Sequence, residues 1–116
     1  TLGVDPFGHL WYANGYLYRR DLSGTETVQV TDFPLLSFSG EVPIDSLGRA
    51  YVPVSEGSNR AIRRVAADGS WVRVGAIAGQ SIQAMTISQR DELFVLPRNH
   101  LVLRLEADGS FSEYAR

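Results

Sequence analysis

The chain has 116 residues, a net charge of −2 and no cysteine, and its length suits one domain rather than two. Hydrophobic residues make up 44% and charged residues 21% of the chain, a balance that excludes general disorder. The lack of cysteine excludes disulfides, thiolate metal sites and cysteine nucleophiles. Because positive charge is not clustered and no apolar run has the length of a membrane span, we expect neither nucleic acid nor membrane as a partner.

The first predicted unit covers about residues 1–36 and consists of short strands and turns. A turn at 5–8 leads into a strand that contains Trp11. Asn14-Gly15 predicts a tight hairpin, because both residues tolerate positive φ. Arg19 follows in the next strand, and Gly24 marks the turn after it. This order predicts a small antiparallel sheet with its strands joined in sequence.

The second unit, at about 37–78, repeats the first after an interval of about 40 residues. Asp45-Ser-Leu-Gly48-Arg-Ala-Tyr51 corresponds to Asp5-Pro-Phe-Gly8-His-Leu-Trp11. Farther along, Asn59, Arg64 and Gly69 stand where the first unit has Asn14, Arg19 and Gly24. We predict four strands in this unit, at about 40–45, 49–54, 61–66 and 71–75.

The third unit covers about 79–116 and is the most divergent. Ser88-Gln-Arg-Asp91-Glu-Leu-Phe94 replaces the first turn and strand, and Asn99, Arg104 and Gly109 complete the unit. Asp91 stands where Gly8 and Gly48 stand in the earlier units, so we expect a strained turn or one of another type there. Four short strands in each unit of about 40 residues are typical of a β-propeller blade. The sequence therefore predicts an all-β chain, a partial β-propeller over residues 1–116 with three blades, each a four-stranded antiparallel sheet.

The second unit also resembles a known repeat. Val42-Pro-Ile-Asp45-Ser-Leu-Gly48-Arg-Ala-Tyr51-Val52, then Asn59-Arg-Ala-Ile62-Arg-Arg64-Val65 and Asp68-Gly69, is similar to the NHL repeat. It is also similar to the related propellers of streptogramin lyase and of the gluconolactonase/regucalcin group. Ala61 stands where that repeat usually has Arg, and Val65 where it has Phe. The resemblance implies the propeller fold but carries over no catalytic residue, because propellers host unrelated functions.

The candidate site is a loop face. The connections between the second and third strands of each unit differ in length, and so do those between units. Variable loops on a rigid scaffold are where binding sites usually lie. This face would carry Phe33 and Phe38 besides the predicted ligand-binding residues, which are Glu56, Asn59, Arg60, Arg98, Asn99 and His100.

Binding is favoured over catalysis because no complete catalytic or metal-binding motif is present. We expect a protein, peptide or glycan ligand and no cofactor, and the first-strand residues Val4, Val42, Ile44, Ala84 and Thr86 would give a central channel a mostly apolar lining. The alternative is a lyase or lactonase like those of the resembling propellers, with His100, Glu56 and Asn59 at its site and calcium or magnesium as cofactor.

Three blades do not close a ring, since single-chain propellers have four to eight. We therefore expect either a homodimer that makes a six-bladed ring or a longer propeller of which this chain is a part. All eleven basic residues are arginine, a skew that indicates a GC-rich bacterial genome. The N-terminus shows no signal-peptide pattern, which leaves the compartment open, with a secreted or periplasmic location as one alternative.

Overall fold

The structure, a computed structural model, describes residues 1–24, 26–78, 81–98 and 101–115. In these ranges the regular elements are eleven strands, and no helix is long and apolar enough to cross a membrane. The strands are β1 Leu2–Val4, β2 His9–Asn14, β3 Tyr16–Asp21, β4 Thr27–Gln29, β5 Ala50–Glu56, β6 Asn59–Val65, β7 Trp71–Ala78, β8 Ile82–Ile87, β9 Leu93–Pro97, β10 Val102–Leu105 and β11 Phe111–Ala115.

The strands form three antiparallel sheets in which neighbours in sequence are neighbours in space. Sheet 1 contains β1 to β4, sheet 2 contains β5 to β7 and sheet 3 contains β8 to β11. Each pairing is between consecutive strands, so every connection within a sheet is a local turn. The all-β prediction is confirmed, and so are four strands in sheets 1 and 3.

Sheet 2 has three strands, so the prediction of four in every unit is wrong for the middle one. The segment predicted as its first strand divides its hydrogen bonds between two sheets. Val42 donates its N–H to the Leu2 carbonyl of sheet 1 at 2.8 Å, whereas the Pro43 carbonyl accepts from the Tyr51 N–H at 3.0 Å. Pro43 has no N–H to donate. Only an isolated antiparallel bridge between Ile44 and Ala50 joins this segment to β5.

The hydrophobic core has two layers, one on each side of sheet 2. In the first layer, Trp11 and Leu17 of sheet 1 pack with Val52 and Val65 of sheet 2 and with Val42 of the segment that precedes sheet 2. The second layer lies between sheets 2 and 3 and contains residues of both. They are Tyr51, Ile62, Ile77, Ile82, Met85, Leu93 and Val95. Because Val42 is only 1% exposed, the expectation that it lines a channel is wrong.

The turn between the first two strands of sheet 1 is built around a buried aspartate. Asp5 Oδ1 accepts the N–H groups of Phe7 at 2.8 Å and His9 at 3.0 Å. Its Oδ2 accepts the indole N–H of Trp11 at 2.8 Å and lies 3.0 Å from His9 Nδ1. This one carboxylate therefore accepts two backbone N–H groups of the turn and the N–H of the core residue Trp11. Leaving such a buried donor without an acceptor would destabilise the fold.

Asp45 repeats the arrangement at the entrance to sheet 2. It accepts from the Leu47 and Arg49 N–H groups, from Arg49 Nε at 2.8 Å and from the Tyr51 hydroxyl at 3.0 Å. In sheet 3 the Ser88 hydroxyl takes this place and accepts the N–H groups of Arg90 and Glu92, both at 3.2 Å. The repeat therefore preserves the turn bonds even where the aspartate is lost.

Asp91 confirms the expected strain in the third turn. Its φ is +60°, a left-handed value shared with Gly8 and Gly48, and it is the one non-glycine residue with positive φ in the described ranges. Its carboxylate accepts the Ser46 N–H at 2.9 Å and the Ser46 hydroxyl at 2.5 Å. The strained residue thus fastens the turn of sheet 3 to the turn of sheet 2.

Candidate functional site

A connecting segment, residues 35–39, crosses one end of the three sheets. Leu35 donates its N–H to the Gly15 carbonyl in the β2–β3 hairpin at 2.7 Å, and Leu36 donates to the Pro53 carbonyl of β5 at 2.9 Å. Ser39 then donates to the Gln83 carbonyl of β8 at 2.7 Å. The segment therefore contacts sheet 1, sheet 2 and sheet 3 in turn.

A first cleft lies on the sheet 1 side of this segment. Its volume is about 200 Å³, and its walls come from the β2–β3 hairpin, the segment itself and Thr1. The Thr1 hydroxyl donates to the Phe38 carbonyl at 3.0 Å, which joins the start of β1 to the segment. The lining residues are Thr1, Ala13, Asn14, Gly15, Leu35, Leu36, Ser37 and Phe38.

A second cleft, of about 560 Å³, lies on the sheet 3 side. It shares Ser37 and Phe38 with the first cleft. The Phe38 side chain is half-buried and packs against both layers of the core, so its position is fixed by the sheets below. The lining residues are Ser37, Phe38, Ser39, Ile82, Gln83, Ala84 and Leu96.

None of the described residues that line the two clefts has a charged side chain. The walls combine apolar surface with hydroxyl and amide groups and with backbone. Such a surface can hydrogen-bond an uncharged polar ligand while it covers apolar atoms, and the Phe38 ring offers a face for stacking.

Three of the predicted site residues, Glu56, Asn59 and Arg60, lie in the β5–β6 hairpin and outside both cleft linings. Glu56 is already paired: its Oε2 accepts Arg63 Nη2 at 2.8 Å, and its Oε1 lies 3.6 Å from Arg73 Nε. Asn59 is exposed and Arg60 is half-buried. The carboxylate of Glu56 therefore joins β6 and β7 to the hairpin, and the ligand-binding role predicted for these three residues stays a prediction.

Arg98 is exposed just after β9, and its N–H donates to the Ser81 carbonyl at 3.0 Å. Asn99 and His100 lie outside the described residues. The ligand-binding role predicted for this trio stays a prediction, and so does the lyase or lactonase alternative, which depends on His100. Within the described ranges, no group of three or more His, Asp or Glu side chains could hold a metal ion.

The sequence reasoning missed a stacked cluster that fixes the connection leaving sheet 1. The Arg63 guanidinium lies 3.8 Å from the ring centre of Trp71 and 4.6 Å from that of Phe33. Phe33 and Trp71 also meet edge to face at 5.7 Å. Phe33, expected on the ligand face, instead packs on Arg63. No sequence pattern indicates the contact between Phe33 and Arg63, because the two residues are 30 positions apart in different units.

Arg19 and Arg104, which occupy the same position in units 1 and 3, have different kinds of partner. Arg19 Nη1 donates to the Ala67 carbonyl of sheet 2 at 3.3 Å. Arg104 pairs with Glu92 at 3.7 Å and Glu106 at 3.1 Å within sheet 3. Arg19 thus does bridge two sheets, through a carbonyl rather than a carboxylate.

The Asp5–His9 pair has the form of a catalytic base and its orienting carboxylate. Burial acts to raise the pKa of Asp5, but the hydrogen bonds from Trp11 and from the His9 and Phe7 N–H groups outweigh it and lower that pKa below its ordinary 3.8. In sheet 2 the same position is Arg49 on Asp45. Arginine is not a general base at neutral pH, yet it makes the same contact with the aspartate. The Asp5–His9 contact is therefore a structural feature of the turn rather than a catalytic pair.

The chain was compared with protein-family models and with curated proteins. No protein-family model matches the chain, and no curated protein matches it.

Proposed function

We propose that the three sheets are successive blades of an NHL-type β-propeller and that the chain is a binding module for an uncharged segment of a protein, peptide or glycan. The blade arrangement is supported by the strand order within each sheet. It is supported also by parallel bridges between the starts of successive units, Leu2 with Glu41 and Ser39 with Ala84. Innermost strands that lie side by side are what a ring of blades requires.

The observation that carries the binding proposal is the pair of adjoining clefts that share Ser37 and Phe38. The first cleft is lined by the β2–β3 hairpin and the connection between units, and the second by that connection and strands β8 and β9. Loops of these two kinds are where a ligand is expected, which supports the proposal. The side chains of the described lining residues are uncharged, which favours hydroxyl-rich or amide-rich ligands. Hydrogen bonds of the segment to three sheets hold the floor of the site in place, which lowers the entropic cost of binding.

The test is a screen of the 116-residue chain against a glycan array and a peptide library, followed by titration of the best ligand by calorimetry. Ser37→Arg places a long charged side chain between the two clefts. We expect at least about a 30-fold loss of affinity, since the change fills the site and buries a charge against the ligand.

Gln89→Arg is the matched control, because Gln89 is also exposed but lies in the turn before β9, outside both cleft linings. It should bind like the native chain. Simultaneous replacement of Arg98, Asn99 and His100 by alanine distinguishes the two candidate sites. If that triple variant loses the ligand while Ser37→Arg keeps it, the cleft proposal is wrong and the sequence-predicted trio is the site.

A further inference from the structure

The guanidinium of Arg64 in β6 is half-buried, and no described residue forms an ion pair with it. The arginines at the same position of the other units both have partners. Arg19 donates to a carbonyl of sheet 2 at 3.3 Å, and Arg104 pairs with Glu92 and Glu106. Because a partly buried charge gives up hydration, it gains from an acceptor that replaces the lost water. Arg64 is therefore suited to bind an anion.

Sheet 3 shows how the repeat satisfies this arginine. One carboxylate oxygen of Glu106 accepts Arg104 Nε at 3.2 Å, lies 3.1 Å from Nη2 and also accepts the Ser112 hydroxyl. The carboxylate of Glu92 lies 3.7 Å from Nη1. Hydrogen bonds from Ser112 and Arg104 lower the pKa of Glu106, although the neighbouring Asp108 acts to raise it. The position beside this arginine thus favours an ionised carboxylate.

Sheet 2 has the same turn but lacks both carboxylates. The Ala66 N–H donates to the Ser70 carbonyl at 2.8 Å, as the Glu106 N–H does to the carbonyl four residues further on, also at 2.8 Å. Ala66 therefore occupies the place of Glu106, and by the same repeat Arg49 occupies the place of Glu92. The middle unit keeps the arginine and the backbone around it but has no negative charge at either position.

A cleft of about 250 Å³, which we call the arginine cleft, lies where the glutamate is missing. Its apolar walls, Trp71 and Val72, are 43% and 48% exposed. It lies beside the turn from β6 to β7, at the end of sheet 2 opposite the β5–β6 hairpin, and shares no lining residue with the two clefts beside Ser37. The lining residues are Arg49, Arg64, Ala66, Ser70, Trp71 and Val72.

The basic side chains of the cleft have free hydrogen-bonding capacity. Arg49 donates from Nε to Asp45 at 2.8 Å, and none of the described residues accepts from its two terminal nitrogens. Asp91, another carboxylate close to Arg49, is turned to the N–H and hydroxyl of Ser46. Asp45 therefore balances the charge of Arg49, and the charge of Arg64 is left for a ligand.

The exposed carboxylate of Asp68, in the turn after β6, does not take that role. It accepts the Ser70 N–H at 2.9 Å and the Ser70 hydroxyl at 2.6 Å. Asp108 makes the same two bonds with Ser110 in sheet 3, and there Glu106 still pairs with its arginine. An aspartate in this turn is therefore compatible with a second carboxylate on the arginine.

We propose that the arginine cleft binds the carboxylate of an acidic side chain on a peptide ligand. Arg64 holds this carboxylate as Arg104 holds Glu106, and the terminal nitrogens of Arg49 donate to it from the other side. Trp71 and Val72 cover the methylene groups of the bound side chain. A carboxylate is favoured over phosphate because the equivalent arginine of sheet 3 pairs with carboxylates. This site is separate from the clefts beside Ser37 and does not rest on the function proposed for them.

The first measurement is a nuclear magnetic resonance titration of the 116-residue chain, in which the Nε–H resonance of Arg64 is followed at constant ionic strength. The probe is a capped tripeptide with a central glutamate, and the matched probe has glutamine in its place. We expect a saturable shift with the glutamate peptide, with a Kd of about 10 mM or below, and none with the glutamine peptide. Tighter binding of inorganic phosphate than of the glutamate peptide would overturn the assignment to a carboxylate.

Ala66→Glu tests the comparison with sheet 3 directly, because it supplies the missing carboxylate from within the chain. It should raise Tm by about 2 °C and lower the affinity for the glutamate peptide at least about 10-fold. Arg64→Gln should lower that affinity as much, and its lost resonance identifies the Arg64 signal. Ala67→Glu is the matched control, since Ala67 is exposed, adjacent and outside the cleft lining. It should bind within about threefold of the native chain.

Three results would contradict the proposal. Binding that survives Arg64→Gln or Ala66→Glu would place the peptide elsewhere. An equal loss in Ala67→Glu would mean that only net charge matters, and a lower Tm in Ala66→Glu would mean that the cleft does not accept a carboxylate. Ser37→Arg should bind the glutamate peptide like the native chain, so failure of this site and failure of the clefts beside Ser37 are separate results.

Discussion

Removal of the Asp45 carboxylate measures how much one buried turn contributes to the fold. Asp45 is 1% exposed and accepts four hydrogen bonds, from the N–H groups of Leu47 and Arg49, from Arg49 Nε and from the Tyr51 hydroxyl. Asp45→Ala leaves these donors without their acceptor, and the Tyr51 hydroxyl is too buried for water to replace it fully. We expect a loss of about 3–5 kcal/mol in the free energy of unfolding, or about 15 °C in Tm.

Asp45→Ser separates the turn bonds from the side-chain bonds. Ser88 shows that a serine hydroxyl at this position still accepts the two backbone N–H groups, at 3.2 Å each. Asp45→Ser should therefore be about 1–2 kcal/mol less destabilising than Asp45→Ala. Asp68→Ala is the control, because Asp68 accepts its bonds from Ser70 in an exposed turn, and its effect should be much smaller.

The assay for this series is urea unfolding followed by circular dichroism at one fixed protein concentration, because association would make stability depend on concentration. Equal slopes of free energy against urea among the variants are required for the comparison. A loss below about 1 kcal/mol for Asp45→Ala would refute the reasoning, since it is smaller than the cost of unpaired buried donors. Equal losses for the serine and alanine variants would refute the role given to the turn bonds.

Other perturbations give distinct outcomes. Arg63→Lys keeps the charge but loses the planar stack between Phe33 and Trp71, so we expect a loss of about 1–2 kcal/mol and a change in tryptophan fluorescence; an unchanged spectrum contradicts the stack. Asp91→Gly should melt about 4 °C above Asp91→Ala, because both lose the bonds to Ser46 but only alanine keeps the left-handed strain; the reverse order contradicts it. The pKa of Asp5 is lowered below 3.8, so its stabilisation is present above that pH and lost as pH falls below about 4; urea unfolding at pH 2.5 to 6 should show a shallower loss in Asp5→Asn.

Local chemistry made much of the fold readable from the sequence. The Asp and Gly that recur in the first turn of the first two units act on residues no more than six positions away, as the hydrogen bond from the Trp11 indole to Asp5 shows. Alternating apolar residues then place each strand in a sheet. The β2–β3 hairpin was predicted from Asn14-Gly15, and of these two residues Gly15 adopts the positive φ, at +74°. Contacts of this range repeat whenever the residues repeat, so the three units and most of their strands could be found by comparison within the chain.

Tertiary structure decided the features that depend on residues far apart. The segment predicted as a first strand of the middle unit, residues 40–45, does not join sheet 2 as a strand. Its Val42 N–H instead donates to the Leu2 carbonyl of sheet 1, and no local sequence pattern indicates that partner. The pairing of Glu56 with Arg63 and Arg73 joins residues up to 17 positions apart. The clefts beside Ser37 are lined by residues from the connecting segment and from different sheets. Hydrogen bonds such as that of Asp91 to Ser46 depend on how successive sheets pack. That packing is set by the summed shape of two whole faces rather than by any short motif.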